Sequence, residues 1–484
     1  MRSLGILFKR LIEKYKNSDV IFKASVWFIC VTIINNSISL LTQPFVNRIL
    51  SVEEVGVYSV YQTWHSVISI IATFNLYCGV LEVLITKDKE NSNQTVASLM
   101  ALSICISVVF FGACFIFIKP IAALLLLKPR YLIVMAITII SEMIVQFWCV
   151  QKRFLYLYKQ YSILMVIMFF VKAIMTIALC YFMPNDRVLG RTLGLCLPNV
   201  LVAIVLAVLI FKKAVIKKIT IHWKKAVLFN LPLIPHYLSS ILLSSSDKVM
   251  IQRFVGAEAV GLYSVAYTFA GLALIVFSAI NNAYTPFAYN AIRGKNYKEL
   301  SIKTKYIILL SVIFSLGLMF LAPEGILILG GESYLTSLEI VPILVVGIFF
   351  SSFYFIFSNV EFVYERTKFI FPITILGAGL NILTNWLLIP KFGYEVAAYT
   401  TLLSYIVVAL CHYLVSLKIA KENIYPMGKI LLYILLLIVG AMVAIFAYRI
   451  HRLVRYCILL IGIVVFTLML KNSVKFDSNQ EKQL

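Results

Sequence analysis

Runs of apolar residues, each long enough to cross a bilayer, follow one another along almost the whole chain, and they restrict its fold more than any other feature. A membrane-spanning helix needs ~20 mostly apolar residues, and lipid tolerates only a backbone that satisfies its own hydrogen bonds. With 62% hydrophobic and 13% charged residues, the 484-residue chain lacks the polarity of a soluble domain, in which about 25% of residues are charged. We therefore predict an all-α integral membrane protein with about fourteen transmembrane helices. The predicted spans are 22–48, 58–85, 95–118, 130–151, 160–183, 187–211, 226–252, 258–285, 302–322, 336–361, 367–389, 394–418, 428–448 and 453–470.

A thirteen-residue segment occurs twice, at a constant offset of 205 residues. Residues 48–60 and 253–265 share 7 of 13 positions, among them an arginine, a glutamate, a glycine and a tyrosine in register. Similarity between unrelated apolar segments would match leucine with isoleucine and would not align polar residues. The sequence therefore predicts a duplication, in which spans 1–6 and 7–12 are two six-helix repeats and the last two helices are an addition.

Lysines and arginines are unevenly divided between the two sides of the predicted spans. Of the 43, 30 lie in connectors and tails on the side of the N-terminus, and 11 lie on the other side. Cytoplasmic connectors carry such an excess, so both termini are predicted to be cytoplasmic. The net charge of +22 then reflects membrane insertion and not nucleic-acid binding, which needs a basic stripe on a soluble domain. The nine cysteines form no CxxC pair, so no metal site is indicated.

The chain is predicted to divide according to this charge pattern. Because six is an even number, both halves begin on the cytoplasmic side, and an axis along the membrane normal relates the two parallel repeats. Apolar residues near the N-terminus recur at helical spacing opposite charged ones, as in a helix lying on the membrane surface. The predicted parts are an amphipathic cytoplasmic segment (1–19), an N-lobe (20–211), a basic cytoplasmic linker (212–225), a C-lobe (226–418), and spans 13 and 14 with a cytoplasmic tail (419–484).

Charged residues inside the predicted spans are candidates for function. A charge at the middle of the bilayer costs about 2.5–3.5 kcal/mol on insertion scales, so each needs a partner or a water-filled cavity. Uncharged polar residues also lie within the spans, and most of them are predicted to form hydrogen bonds between helices: Asn35, Asn36, Asn230, Asn281, Asn282, Asn381 and Asn385. The charged candidates are Glu82, Glu142, Lys172, Arg191, Asp247 and Lys248, with Arg48, Arg253 and Glu361 near span ends.

Span 7 carries a polar stripe within an arc of about 80° on a helical projection. Such a stripe faces either a cavity or a neighbouring helix to which its side chains are hydrogen-bonded, and both interpretations remain open. Pro232 and Pro235 predict a bend at the start of this span. The stripe consists of His236, Ser240, Ser244 and Asp247.

Two further pairs of polar residues have matching positions. Glu142 and Lys172 lie at similar depth on adjacent antiparallel spans, and they are either a structural ion pair or a cavity cation tuned by its neighbour. Asn75 and Glu82 are seven residues apart and are expected on one face of a continuous span 2.

No catalytic set of residues is apparent. The sequence contains no GxxxxGK[ST] motif, no paired carboxylates and no serine–histidine–aspartate arrangement, so we predict neither enzymatic activity nor a cofactor. The five histidines are dispersed at positions 65, 222, 236, 412 and 451.

The duplicated segment also carries a family resemblance. It contains Gly56 and Tyr58 in the first copy, and Gly261 and Tyr263 in the second, where the pair Asp247 and Lys248 precedes it. With these motifs and fourteen predicted spans, the chain resembles the polysaccharide-transporter branch of the multidrug/oligosaccharidyl-lipid/polysaccharide exporter superfamily, which includes the O-antigen flippases. The glycines are expected to allow helices to approach closely. Asp247 is the stronger functional candidate because the first copy has Thr42 at the equivalent place.

The resemblance implies two lobes around a central cavity. Such proteins move an undecaprenyl-diphosphate-linked oligosaccharide from the inner to the outer leaflet of the bacterial cytoplasmic membrane by alternating access, for surface polysaccharides such as the O-antigen of lipopolysaccharide. Partners would be that lipid-linked substrate, membrane lipids, and a monovalent cation or proton as candidate coupling ion, with a polymerase or glycosyltransferases as candidate neighbours. Cations suit a diphosphate because arginine and lysine bind phosphate by charge-assisted hydrogen bonds. The candidates for diphosphate binding are Lys172, Arg191, Lys248, Arg253 and Arg48.

Two other transporters of the same superfamily are the alternatives. A cation-coupled multidrug exporter commonly has a carboxylate in span 1, where this chain has Asn35 and Asn36. A lipid II-type flippase also has fourteen spans, but its arginine-rich first span is absent here. A glycosyltransferase or polymerase would need large extramembrane loops, and the predicted connectors are short.

Overall fold

The computed structural model of the chain describes residues 18–462 and 464. Most of the predicted amphipathic segment, the end of span 14 and the C-terminal tail lie outside these residues. The described helices are α1 (Val20–Ile49), α2 (Val52–Thr73), α3 (Val80–Lys87), α4 (Ser92–Ile116), α5 (Ile118–Leu124), α6 (Pro129–Phe154), α7 (Tyr158–Phe182), α8 (Arg187–Lys212), α9 (Trp223–Asn230), α10 (Ile234–Phe254), α11 (Ala257–Ala270), α12 (Leu272–Arg293), α13 (Tyr297–Phe320), α14 (Ala322–Leu329), α15 (Val341–Val363), α16 (Ile370–Phe392), α17 (Val396–Ala420), α18 (Met427–Ala447) and α19 (452–462).

The described part of the chain contains helices and connectors but no strand, which confirms the all-α prediction. Twelve segments within it are long and apolar enough to cross a membrane. The two remaining predicted spans, 58–85 and 453–470, are not among those twelve. The number of fourteen spans therefore stays a prediction.

The prediction of span 2 as one continuous helix is wrong. The helix α2 ends at Thr73, and α3 begins only at Val80. Between them, Phe74 and Asn75 adopt left-handed backbone conformations (φ 52° and 49°), as does Gly79 (φ 71°). Asn75 therefore lies in the turn and does not share a helical face with Glu82.

The carbonyl groups released by this break are satisfied by side chains. The amide of Asn230, which is fully buried, donates to the carbonyl oxygens of Phe74 (3.0 Å), Asn75 (2.9 Å) and Cys78 (3.4 Å). Two serines of α4 donate to the last carbonyls of α2. Non-helical backbone within a membrane is stable only where its polar groups are hydrogen-bonded. These hydrogen bonds therefore stabilise the break between α2 and α3.

The helix boundaries of the two repeats coincide at the offset found in the sequence. Helices α1 and α10 end 205 residues apart, α2 and α11 begin 205 residues apart, and so do α4 and α13. Helices α8 and α17 begin 209 residues apart, so a short insertion lies between. The duplication therefore extends over the secondary structure and not only over the repeated segment.

The contacts divide the chain into two compact units. Of the described residues, the first unit comprises those up to Ser51 and Trp64–Leu238, and the second comprises Val52–Thr63 and those from Ser239 onward. In the first unit, Asp186 caps α8 by accepting from the backbone N–H of Leu189 (3.1 Å) and also accepts from Tyr131 of α6 (2.7 Å). In the second unit, α15 packs along α17 and is mostly buried.

Candidate functional site

The two repeated glycines lie at one close helix crossing within the second unit. A β-carbon on Gly56 would lie 1.8 Å from the carbonyl oxygen of Ala257, and one on Gly261 would lie 2.1 Å from that of Val52. The starts of α2 and α11 therefore touch through their backbones, which side chains larger than hydrogen would prevent. This contact explains why the sequence keeps a glycine at the same place in both copies.

The repeated tyrosines point into the protein interior. Tyr58 is 6% exposed and its ring stacks on that of Tyr61 at 6.1 Å between centroids. Tyr263 is fully buried, and its hydroxyl donates to the carboxylate of Asp247. The second copy of the motif therefore supplies a hydrogen-bond donor to the acid that is specific to that copy.

Asp247 lies in a closed environment in the second unit. Its side chain is 2% exposed, and besides Tyr263 it accepts the backbone N–H of Lys248 at 2.8 Å. The ammonium of Lys248 lies 5.2 Å from the centre of the Tyr267 ring, at a distance typical of a cation–π contact. Asp247 is thus held by hydrogen bonds from its own helix and from α11.

Uncharged polar side chains extend this environment across α10, α16 and α17. Ser246 donates to Asn381 (2.9 Å), whose amide group donates to Thr401 (3.1 Å). Asn385 donates to Asn381 (3.1 Å) and accepts from Thr400 (2.5 Å). Of the seven predicted asparagines, Asn381 and Asn385 thus form hydrogen bonds between helices, whereas Asn281 accepts from Thr285 of its own helix and Asn282 is exposed. The five side chains of this network are at least 90% buried.

Glu142 is the centre of a second cluster, in the first unit. Its carboxylate accepts from the amide of Asn199 (3.0 Å) and lies 3.4 Å from Nε2 of His65. Lys172 interacts electrostatically with both Glu142 and His65. The side chain of Glu142 is 35% exposed, whereas His65 is 19% and Asn199 is 1% exposed, so access to this cluster is at Glu142.

Arg191 is buried within the first unit. It is 6% exposed, and its guanidinium donates to the side-chain oxygen of Gln43 at 3.2 Å. The helix α8 packs closely on α7, where Gly190 lies against Leu179 and Gly194 against Thr176 without room for a β-carbon. Arg191 is therefore level with about Leu179, seven residues along α7 from Lys172. At ~1.5 Å per residue, this is about 10 Å along the helix axis.

The other predicted charged residues lie near helix ends. Arg48 is exposed and its guanidinium donates to the carbonyl oxygen of Pro44 (3.0 Å), and Arg253 is exposed in the last turn of α10. Glu82 lies 3.4 Å from the guanidinium of Arg153, and both are partly exposed. A surface pair of this kind contributes little to stability.

The polar stripe of span 7 is divided between different environments. As the two prolines predict, a 3₁₀ turn at Leu231–Leu233 interrupts the helix before α10. Ser240 is exposed, whereas the hydroxyl of Ser244 donates to carbonyls of its own helix. His236 is partly buried beside the ring of Tyr237. Asp247 alone of the four belongs to the buried polar network.

The sequence analysis missed two members of the first cluster. His65 was one of five dispersed histidines, and Asn199 was not singled out. Both residues lie at about the same depth in the membrane as Glu142, and a comparison of depth along successive spans could have identified them. Whether they face Glu142 depends on how each helix is rotated about its axis. The pattern of polar residues in these spans does not determine that rotation.

An apolar pocket lies among the added helices and α13 in the second unit. It has a volume of about 210 Å³ and is lined by Leu316 and Phe320 of α13, Gly440 and Val443 of α18, and Leu459 of α19. Such a surface would accept hydrocarbon and no polar group.

Residues 21–289 match the sequence model of the family described as "Polysaccharide biosynthesis protein", and residues 232–387 match the MatE family. "Lsg locus putative protein 1" of Haemophilus influenzae is 26% identical over 365 residues, which cover 74% of this chain and 88% of that protein. The structure of "Lipid II flippase MurJ, inward closed conformation" superposes with a TM-score of 0.70 at 15% identity, over 94% of this chain and 99% of the other. An inward-facing multidrug resistance MATE transporter superposes with a TM-score of 0.57 at 14% identity, over 82% and 98%.

Proposed function

Because the chain belongs to the polysaccharide biosynthesis protein family, we propose that it flips an undecaprenyl-diphosphate-linked oligosaccharide across the bacterial cytoplasmic membrane by alternating access. The fold shared with a lipid II flippase and with MATE transporters supports a flippase. In this proposal the protein moves its substrate from the inner to the outer leaflet without changing any covalent bond, as part of surface polysaccharide biosynthesis.

The observation that carries the proposal is the balance of embedded charge in the first unit. Outside the first and last turns of its described helices, this unit has two cations, Lys172 and Arg191, and one carboxylate, that of Glu142. A surplus of cations attracts an anionic head group and repels a cationic drug. Lys172, beside the accessible Glu142, is therefore the proposed first contact for the diphosphate, and Glu142 holds its ammonium in place between substrates.

Asp247 is the proposed coupling residue. A buried carboxylate beside a tyrosine hydroxyl is a candidate site for a monovalent cation and equally for a proton. Occupation of this site would neutralise Asp247 and change its hydrogen bond with Tyr263. Since Tyr263 belongs to the glycine crossing of α2 and α11, that change would bear on the packing of these two helices.

The lipid tail is proposed to remain in the hydrocarbon region throughout. The apolar pocket among α13, α18 and α19 is a candidate surface for part of it.

The excess of lysine and arginine on the side of the N-terminus supports an orientation with both termini in the cytoplasm.

Flipping by the purified protein in proteoliposomes tests this function directly. A fluorescent lipid-linked oligosaccharide is followed by its accessibility to a reagent outside the vesicles. We expect Lys172→Met to slow flipping at least about tenfold, Lys172→Arg to retain it, and Lys212→Met, at an exposed position, to leave it unchanged. Equal flipping in wild-type and empty vesicles would contradict the flippase assignment, and equal flipping in Lys172→Met would contradict the role of Lys172.

A multidrug exporter is the second candidate, favoured by the MatE match over residues 232–387 and by the buried acid in that region. It predicts that expression raises resistance to cationic drugs and that Asp247→Asn abolishes this resistance. A gain of resistance without any flipping of lipid-linked oligosaccharide would favour this candidate.

A further inference from the structure

The basic linker that follows α8 carries exposed apolar side chains as well as exposed lysines. Ile216 is 83% exposed, the largest fraction of any large apolar side chain in the described part of the chain. Val215 and Ile221 are 53% and 61% exposed. Apolar side chains clustered on one exposed segment are typical of a surface that contacts another molecule or a membrane. The exposed lysines around them are Lys213, Lys217, Lys218, Lys224 and Lys225.

The linker is held on the first unit by hydrogen bonds. The side chain of Gln94 on α4 forms two with the backbone of Val215, since its amide donates to the carbonyl oxygen (3.1 Å) and its oxygen accepts the N–H (2.7 Å). The indole N–H of Trp223 donates to the carbonyl oxygen of Ser98 (3.0 Å). Between these two points, Ile219 packs against the hydrophobic core of this unit. The apolar side chains of the linker therefore divide into a buried set and an exposed set.

The lysines of the linker have no acidic partner nearby in the sequence. No aspartate or glutamate occurs between Asp186 and Asp247. The ion pairs among the described residues include none of these lysines. The basic connectors on the same side of the second unit differ, because each has a glutamate within it or next to it: Glu299, Glu365 and Glu422.

Some of the cationic groups lie close enough to one another to interact. Lys213 interacts electrostatically with Lys152 at the end of α6, and Lys225 interacts with His222. The carboxylate of Asp88 also acts on His222, but a single carboxylate balances only part of this charge. Like charges held together repel each other, so an anionic ligand would stabilise this part of the protein.

The linker joins two segments that are long and apolar enough to cross the membrane. The first ends at Lys212, and the second begins at Ile216. The chain therefore leaves and re-enters the membrane at one face, where the lipid head groups lie. Lysines at such a place attract anionic lipids, by about fivefold in the binding constant for each lysine near the surface. Apolar side chains beside them can insert between the head groups.

We propose that the exposed lysines and apolar side chains of the linker form a surface that binds anionic phospholipids of the leaflet at which α8 ends. The lysines contact the phosphate groups, and Val215, Ile216 and Ile221 insert at the level of the head groups. Because the linker is hydrogen-bonded to α4, this contact fixes the first unit against the membrane surface. The excess of lysine that accompanies membrane insertion accounts for the charge of the linker, but not for its exposed apolar side chains.

Hydrogen–deuterium exchange of the full-length protein in nanodiscs tests this surface without reference to any transported molecule. One set of nanodiscs contains phosphatidylcholine alone, and the other contains phosphatidylcholine with phosphatidylglycerol of the same acyl chains. We expect the backbone amides of the linker to exchange at least about tenfold more slowly in the presence of phosphatidylglycerol. Raising the salt concentration from about 0.1 M to about 1 M shortens the Debye length from about 10 Å to about 3 Å and should reduce this difference. Equal exchange of the linker in the two kinds of nanodisc would overturn the proposal.

Variants separate the charged contacts from the apolar ones, and all of them change exposed side chains, so the protein should still fold. Lys217→Gln with Lys218→Gln is expected to remove most of the difference in exchange, and Ile216→Asn to reduce it without a change of charge. The matched control is Lys298→Gln with Lys418→Gln, at exposed positions on the same side of the second unit, which should retain it. The full difference in either linker variant would overturn the contact that it removes. An equal loss in the control would mean a general effect of net charge and would overturn the proposal.

Discussion

The two copies of the repeat place their acidic side chains in different environments. Glu142, in the first unit, is 35% exposed and has His65, Asn199 and Lys172 as neighbours. Asp247, in the second unit, is 2% exposed and is enclosed by tyrosine hydroxyl and backbone donors. In the proposed mechanism, the accessible acid lies beside the site for the large substrate, whereas the closed acid is the site for a proton or a small ion. The two copies thus share their helix order but differ in the polar side chains that surround the acid.

Other parts of the two copies diverge as well. The helix that follows the glycine crossing breaks at residues 74–79 in the first copy, whereas in the second copy it only bends at Gly271 and continues as α12. The crossing itself is shared, since each copy contributes one glycine to it. The two copies are therefore alike at the backbone contact between α2 and α11 and differ in the positions of their buried polar groups. Substitutions at four sites test this contrast.

The largest effect is expected at the shared crossing. Valine at Gly56 or at Gly261 would push a side chain into a backbone carbonyl that is already within contact distance, at a cost of about 3 kcal/mol or more. Both variants should lose most folded protein, as measured by size-exclusion chromatography of a fluorescent fusion. Gly112→Val and Gly317→Val, at equivalent open positions of the two copies, are the controls. Unequal losses between Gly56 and Gly261 would contradict a symmetric crossing.

A smaller effect is expected at the closed acid. Asp247→Ala leaves the hydroxyl of the fully buried Tyr263 without its acceptor, which costs about 1–3 kcal/mol, and it removes the proposed coupling site. Flipping should fall more than about tenfold, and the unfolding midpoint should also fall. Tyr263→Phe is the matched variant, because it removes the hydrogen bond but keeps the carboxylate. If Asp247→Ala flips at the wild-type rate, Asp247 has no coupling role.

The break in the first copy predicts a moderate effect on stability. Asn230→Ala removes the donor from three carbonyl oxygens of the break, which are buried or partly buried, so we expect a loss of about 1–2 kcal/mol. Asn282→Ala, at an exposed position on α12, should change the unfolding midpoint little. Equal midpoints for the two variants would mean that other groups, and not Asn230, satisfy the break.

The smallest effect on stability is expected at the accessible acid. Glu142→Gln keeps the size of the side chain, and the partly exposed contact with His65 contributes below about 1 kcal/mol. Flipping should nevertheless fall, because Lys172 loses its carboxylate neighbour. A loss of stability as large as that of Asp247→Ala would remove the contrast between the two acids.

Parts of this description followed from the sequence with little ambiguity. Long apolar runs predicted helices because lipid offers no partner for free backbone groups. Arg48 and Arg253, in register with a glycine and a tyrosine, predicted the duplication, and the helix boundaries repeat at the same offset. The two glycines predicted a close approach of helices, and they are found at one crossing.

Other parts did not follow from it. The prediction of a continuous span 2 was wrong, since Gly79 was the one local glycine signal and the break also depends on Asn230, far along the chain. His65 and Asn199 were missed as neighbours of Glu142, and His412 as the partner of Glu361. Each of these contacts joins different helices.

The sequence by itself therefore determined which segments form helices, how often the pattern repeats and which polar residues lie within apolar segments. Local backbone hydrogen bonding and the cost of charge in lipid act within one segment, so they can be inferred from the order of residues. Tertiary structure alone decided which polar groups meet and which remain accessible. Helix rotation and packing set those contacts, and in a membrane the apolar faces of a helix are nearly equivalent to one another and to lipid. That is why the side chain of Glu142 is partly exposed and that of Asp247 is buried, although both lie in copies of the same repeat.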